Sequence, residues 1–272
     1  MPILKEIKEN LKIVSNIGTI TRIYQEIASL RMNKIRQRVL DNREFIEELS
    51  RVYTLAKRAY KEKPPIKSRG GRVVVFLSGN ERFYGTLILD IWREILNYLA
   101  EREADLAVVG RMGKYLAERS GFGHKMFYFE LDDDNPETER IKGIIEFIKN
   151  YEEIIIFHGR FQTILSQKVV QSNISGEAIP EKELAEVKSY LFEPTPEAVL
   201  EFFETELMSA FFNQTILEHR LSRYATRMVA MYQASEKAKE RKRKLEIEGE
   251  KLERQLFNKK QTELFSGFQL WT

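Results

Sequence analysis

The stretch GRMGKY, Gly110 to Tyr115, comes nearest to a chemical signature in this chain. A phosphate-binding loop needs Gly, four residues, Gly, Lys and then Ser or Thr, so that backbone amides cradle phosphates and the hydroxyl holds a metal ion. Here Gly110 stands too close to Gly113 and Tyr115 replaces the hydroxyl, so the requirement fails. GFG at Gly121 to Gly123 lacks the third glycine of a dinucleotide fingerprint. Both read as turns. Asp132, Asp133 and Asp134 have the chemistry to hold a hard cation. Asn135 and Pro136 follow at once, however, and carboxylates just ahead of a helix N-terminus are accounted for by its dipole. His124, His158 and His219 share no spacing, so neither a zinc cluster nor a triad is visible. The absence of cysteine excludes disulfides, thiolate sites and cysteine nucleophiles. These residues predict no catalytic group, no metal and no cofactor.

The elements around these stretches are unusual in their distribution, because the two ends carry the longest helical patterns. One runs from about residue 2 to 63 and the other from about 195 to 270. About 60 helical residues at ~1.5 Å each reach ~90 Å, roughly three times the width of a small domain. In the first helix Ile3, Ile7, Leu11, Val14, Ile17, Ile20, Tyr24 and Ile27 recur at gaps of three or four, a mean of about 3.5 that is the spacing of a left-handed coiled coil. An amphipathic helix on a globule is the alternative, and length without an internal proline favours the coil. Gly18 is costly in a helix and marks a close approach. In the last helix Val199, Phe203, Leu207, Ala210, Leu217, Leu221, Tyr224, Met228 and Met231 form a matching seam. The simplest pairing is antiparallel.

Between them the period changes. Pro64, Pro65 and the loop Ser68 to Gly71 end the first helix. Strands are then expected at 72–77, 105–110, 125–130 and 152–159, alternating with helices at 86–102, 114–119 and 136–151, the last with Asn135 as cap and Pro136 at its first position. Such alternation predicts a parallel sheet covered on both faces. Residues 161–175 add one or two further strands, antiparallel at the edge, or a helix from Thr163. Pro194 and Pro196 separate the sheet from the last helix. The predicted fold class is α/β: a long antiparallel coiled coil of the N- and C-terminal helices plus a Rossmann-like, mostly parallel α/β domain. The predicted divisions are 1–63, 68–192 and 195–272.

Charged residues make up 31% of the chain, above the usual quarter or so, which suits exposed helices. The net charge is only +3, with basic residues concentrated in KAKERKRK, Lys237 to Lys244. That cluster is a solvated face, a nucleic-acid patch without aromatics to stack on bases, or a contact for an acidic protein loop. Beyond Ser235 the helix is polar nearly all round, with isolated Leu245, Leu252, Leu256 and Phe257, and it ends in apolar FSGFQLW; enclosure by another protein is expected. The apolar runs at 73–77 and 154–157 fall far short of the ~20 residues that span a bilayer, and the charged start lacks a secretory signal. A cytoplasmic chain, or one peripheral on a cytoplasmic face, is expected.

With these patterns in hand, the first helix resembles the N-terminal helix of the gamma subunits of F-type ATP synthases, at Lys5, Glu6, Ile7, Val14, Asn16, Ile20, Thr21, Ala28, Met32, Lys34 and Arg38. LSRYATRMVAMYQASEKAKE is similar to the segment that the family builds around Ala-Arg-Met-Val-Ala-Met, here Thr226 to Met231. DLAVVGRMGKYLAERSG and TELFSG match further segments in the same order. The resemblance implies a central-stalk rotor whose α/β domain forms a foot. Its implied partners are the alpha and beta subunits of the catalytic head, the epsilon subunit and the membrane rotor ring, with no nucleic acid and no direct membrane insertion. It implies a peripheral location on the cytoplasmic face of the cell membrane, and coupling of proton or sodium flow to ATP synthesis or hydrolysis. The implied head contacts are Ile7, Ile20, Thr21, Arg227, Met228, Met231, Lys239, Arg241, Arg243, Lys251 and Arg254, with Arg82 and Gly85 in a foot loop. Two departures mark a divergent member. GNERFYG, Gly79 to Gly85, replaces a Gly-rich loop, and Glu253 stands where the family has a head-contacting Arg. A rotor of a different rotary machine and a coiled-coil nucleic-acid adaptor are the alternatives.

Overall fold

A computed structural model of the chain describes residues 2–59, 70–175 and 196–269. The prolines at 64, 65 and 194 and the last apolar residues of FSGFQLW lie outside the described residues. In chain order the elements are α1 (Pro2–Ala59), β1 (Arg72–Leu77), α2 (Leu87–Glu101), β2 (Asp105–Val109), α3 (Arg111–Arg119), β3 (Met126–Phe129), α4 (Thr138–Ile148), β4 (Glu153–Phe161), β5 (Gln167–Asn173) and α5 (Pro196–Gln269). They form two compact units: Met1–Ala28 with Arg227–Thr272, and Ser29–Thr226.

In the first unit α1 and α5 run antiparallel. A Cβ on Gly18 would lie 3.7 Å from Ala238 Cβ, and one on Gly249 3.4 Å from Ile7 Cγ2. The two contacts stand eleven residues apart on each helix, which fixes one antiparallel register. Ile7, Leu11, Val14, Gly18, Thr21, Gln25 and Ala28 form the inner seam of α1, at alternating gaps of four and three. Met231, Ser235, Ala238, Leu245 and Gly249 answer from α5.

This corrects the expected seam, because Ile3, Ile17, Ile20 and Tyr24 are exposed, at 61, 46, 52 and 39%. The cause is backbone proximity. Where two helices approach over Gly, Ala and Ser, large side chains have no room inside and turn outwards. The same logic explains the polar stretch beyond Ser235. Small residues and Leu245, 2% exposed, suffice to seat it on the first helix.

The second unit holds a five-stranded sheet ordered β3-β2-β1-β4-β5. Pairings among β1, β2, β3 and β4 are parallel, while β4 and β5 are antiparallel, so the edge strand rather than a helix occupies 167–173. The runs VVVF of β1 and IIIF of β4 are buried on both faces, which is why they read as unbroken apolar segments. One face is covered by α2 and α3, through Leu87, Ile91, Trp92, Ile95 and Ala117. The other is covered by α4 through Ile144, Ile145 and Ile148, and by Phe212 and Ile216 of α5. The last helix is thus also a layer of the sheet domain.

On its other side α5 meets α1. Asn42 Nδ2 donates to Gln214 Oε1 (2.8 Å), Arg43 Nη2 to Glu218 Oε1 (2.8 Å) and Tyr53 OH to Glu204 Oε1 (2.9 Å). Squeezed between α1 and the sheet, residues 214–225 of α5 are buried all round. The expected cap at Asn135 with Pro136 in the first turn does not occur. Helix α4 begins at Thr138 after Glu137, and Asp132 Oδ1 instead accepts the Asp134 and Asn135 amides at 2.8 and 2.7 Å, closing a tight turn.

Candidate functional site

In an open parallel sheet, ligands bind beyond the carboxyl ends of the strands, where the strand order reverses. Here that point lies between β1 and β4, and α5 fills it. The Gly159 amide at the end of β4 donates to His219 Nδ1 (3.0 Å), and His219 Nε2 donates to the Ser78 carbonyl just past β1 (2.6 Å). With one ring nitrogen accepting and the other donating, the imidazole is neutral. Burial, and then the neighbouring Arg223 charge, push its pKa well below the ordinary value. His158 is also buried and also pushed down by burial, with Ser172 Oγ 2.9 Å from its Nε2. The two histidines that look scattered in sequence are therefore neighbours in the fold, joined through the His158–Gly159 backbone.

One turn further along α5, Arg223 reaches Asp133, Nη1 to Oδ1 2.6 Å. Only a glycine at 79 leaves room, since a Cβ there would lie 2.1 Å from Arg223 Nη1. Asp133 Oδ2 accepts from the Asn80 and Glu81 amides (2.9 and 3.0 Å) and from Tyr84 OH (3.3 Å). Burial opposes the charge on Asp133, but Arg223 and the two amides outweigh it and hold the carboxyl below its usual range. The aspartate run therefore serves the fold through a buried ion pair, not through the dipole of α4. Arg220 Nε donates to the Asp133 carbonyl (3.0 Å), and Tyr224 OH bonds Asp134. His219, Arg220, Arg223 and Tyr224 thus lock one face of α5 onto the sheet.

Glycines near this clasp allow close approach rather than phosphate binding. Ser78 Oγ donates to the Val109 carbonyl (2.6 Å) and accepts the Gly113 amide (3.0 Å). A Cβ on Gly110 or Gly113 would lie 2.8 or 2.7 Å from that oxygen. GRMGKY is a strand-to-helix turn pressed against Ser78. Sequence reasoning missed the clasp, although HRLSRY places His219, Arg220, Arg223 and Tyr224 at i, i+1, i+4 and i+5, which is one helical face.

The residues expected to contact a partner divide in two. Ile7, Thr21, Arg227 and Met231 are turned inward; Thr21 Oγ1 donates to the Ile17 and Gly18 carbonyls (2.9 and 3.1 Å), and Arg227 is 2% exposed. Met228 is half-buried. Ile20, Lys239, Arg241, Arg243, Lys251 and Arg254 lie on the outside. Ile13, Ile17, Ile20 and Tyr24 follow one another at gaps of four, three and four, an exposed apolar stripe beside the seam. Within the basic cluster Lys239 pairs with Glu236 (2.7 Å), Lys242 with Glu246 (3.8 Å) and Lys244 with Glu240 (2.7 Å). Glu253 is engaged by Lys8 at 3.1 Å. Arg82 and Gly85 are exposed in the loop after β1, where Phe83 (φ 72°) and Gly85 (φ 57°) both take left-handed conformations.

Among the described residues no helix is long and apolar enough to cross a membrane, and no group of His, Asp and Glu is arranged to hold a metal. A family model described as ATP synthase matches residues 3–268. Curated relatives named ATP synthase gamma chain include those of Roseiflexus sp. (22% identical) and Chloroflexus aurantiacus (25%), each aligned over 98% of both chains. That of Haemophilus ducreyi is 28% identical over 86% of this chain and 87% of its own. Among solved structures, the fold is similar to a chain of the Euglena gracilis mitochondrial ATP synthase rotor, with TM-score 0.64 and 18% identity over 94% of this chain and 99% of that one. It is also similar to one from the Tetrahymena thermophila central stalk and c-ring, with TM-score 0.61 and 19% identity over 79% and 99%.

Proposed function

Because this chain belongs to the ATP synthase family, we propose that it is the gamma-type central-stalk subunit of an F-type rotary ATP synthase. It is a non-catalytic subunit. The ATP chemistry belongs to its partners, and this chain supplies a rotor whose asymmetry gives each catalytic site a different face. The observation that carries the reading is an antiparallel helix pair of fixed register, whose α5 is clasped to a sheet with its ligand crevice already filled by His219 and Arg223.

The division of labour follows from burial. Ile7, Thr21, Arg227 and Met231 hold the helices together. The stripe Ile13, Ile17, Ile20 and Tyr24, with Arg241, Arg243, Lys251 and Arg254, meets the alpha and beta subunits. Exposed apolar stripes mark interaction surfaces, and a polar rim tolerates sliding. The sheet domain, residues 68–192 in functional terms between helical segments 1–63 and 195–272, acts as the foot beside the epsilon subunit and the membrane rotor ring. The location is then peripheral, at the cytoplasmic face of the membrane, with protons or sodium ions as the coupling ion.

Purified chain mixed with the alpha and beta subunits should form a complex with raised ATP turnover. Failure to associate, with both preparations folded, would overturn the proposal. One observation favours a divergent head: Glu253, where the family has a head-contacting Arg, is bound to Lys8. Mixing with a conventional head and with the head from the same source distinguishes the two, since only the latter should couple fully if the contacts have changed together.

A further inference from the structure

Among the described residues two acidic side chains are buried, Asp133 and Glu218. The clasp accounts for Asp133, and Glu218 is held by three elements at once. Its Oε1 accepts from Arg43 Nη2 of α1 (2.8 Å) and from Gln214 Nε2 one turn back on α5 (2.9 Å), while its Oε2 faces Arg160 Nε of β4 (3.5 Å). Gln214 Oε1 in turn accepts Asn42 Nδ2 of α1 (2.8 Å), which closes a ring of bonds across the helix pair. Burial opposes the charge on Glu218, but the bonds from Arg43 and Gln214 and the charges of Arg43 and Arg160 outweigh it and hold the carboxyl below its ordinary range.

The two cations come to the carboxylate at some cost. Arg160 stands directly opposite Lys168 across the β4–β5 pair, and like charges in register repel. Arg43 and Arg160 keep 48 and 56% of their side chains exposed, so water could solvate either without Glu218. The buried carboxylate is the group that needs them. Arg31 of α1 also reaches the sheet domain, but at Asp134 in the turn after β3, whereas Glu218 ties α1 to β4, an interior strand. Apolar contact between helices is non-directional and permits sliding or rolling. A carboxylate gripped by guanidinium groups from two other elements fixes the angle of both helices against the sheet.

We propose that Glu218 is a positioning residue of the rotor, the joint through which α1 and α5 turn together with the sheet domain. The proposal rests on the gamma-type reading, in which a turn imposed on the sheet domain has to emerge in both helices. Slip at this joint would leave part of each turn as twist inside the chain.

Two measurements separate the joint from the rotor reading. In the isolated chain, which has no cysteine, spin labels on Leu40→Cys of α1 and Leu165→Cys beyond β4, at positions 48 and 81% exposed, report the distance from α1 to the sheet. Glu218→Gln should broaden that distance distribution, because an amide keeps one acceptor oxygen and turns an NH2 towards a guanidinium. Its fold is retained, since the released arginines are half exposed. Arg160→Gln, which cuts the β4 arm alone, should broaden the distribution as well. Asn42→Ala removes a bond between α1 and α5 without touching β4, so it should lower the melting temperature and leave the width unchanged. In the complex assembled on its membrane ring, Glu218→Gln should hydrolyse ATP at the wild-type rate and pump fewer ions per ATP. An unchanged distribution in Glu218→Gln, equal broadening in Asn42→Ala, or a full pumping ratio would overturn the proposal. A wild-type complex that pumps nothing marks failure of the rotor reading; failure confined to the variants marks failure of the joint.

Discussion

At the scale of single residues, the structure turns on charges and rings taken out of water. Asp133 and Arg223 satisfy each other in the interior, so removing one leaves the other uncompensated. Arg223→Met or Asp133→Asn should each cost about 3–5 kcal/mol in urea unfolding, and the double variant much less than the two together. His219 makes a pH prediction. Its folded pKa lies well below the unfolded value of about 6.5, so the unfolded chain binds the extra proton. The stability that His219 contributes is present above that value and is lost as pH falls towards its folded pKa. Asp133, depressed as well, adds a loss at lower pH as its carboxyl protonates. The melting temperature should fall steadily from pH 7 to pH 5, and His219→Gln, which keeps a donor and an acceptor, should flatten that fall. An unchanged slope in the variant would remove His219 from the account. None of this was legible in sequence, since the partners stand far apart in the chain: His219 meets Ser78, and Arg223 meets Asp133. What the residues did show was a turn, since the spacing of Gly110, Gly113 and Tyr115 does not make a phosphate loop and both glycines press against Ser78.

At the scale of elements, the strands and their parallel run followed from the alternation of apolar and helical segments, while the order β3-β2-β1-β4-β5 did not. The runs at 73–77 and 154–157 are long enough for strands, too short for core helices, and free of polar alternation. The helix pair was legible in kind and partner but not in face. Large apolar residues drew the expected seam through Ile17, Ile20 and Tyr24, whereas close backbone approach selects Gly18, Thr21 and Ala28. The sign of a close approach was present in Gly18 itself. Three substitutions separate these seams. A methyl at Gly18 would meet Ala238 at an ordinary 3.7 Å, so Gly18→Ala should stabilise the chain by up to about 1 kcal/mol through helix propensity. Gly18→Leu would force the helices apart and lower the melting temperature. By contrast Ile17→Ser, on the exposed stripe, should leave the melting temperature almost unchanged while weakening association with the catalytic head. Loss of stability in Ile17→Ser would restore the seam that the structure rejects. The double duty of α5, seam on one side and sheet layer on the other, was hidden because its buried stretch carries Glu218, Arg220 and Arg223, residue types that advertise a surface.

At the scale of the whole molecule, a fold that commonly binds nucleotides has its crevice filled by its own last helix, and the sequence spends its charged residues on fixing that helix rather than on catalysis. Fold likeness alone would have pointed to a ligand pocket. The long terminal helices and their order along the chain pointed elsewhere and matched the family. As a gamma-type rotor, this chain turns inside a catalytic head. The absence of cysteine allows one probe site to be introduced cleanly, at Leu165, which is 81% exposed on the turn between β4 and β5. The decisive measurement is single-molecule observation of a head fixed to a surface, with a bead attached through Leu165→Cys, during ATP hydrolysis. Unidirectional rotation of the bead that stops when ATP is withdrawn is expected. A head that hydrolyses ATP with the chain bound while the bead only fluctuates would contradict it.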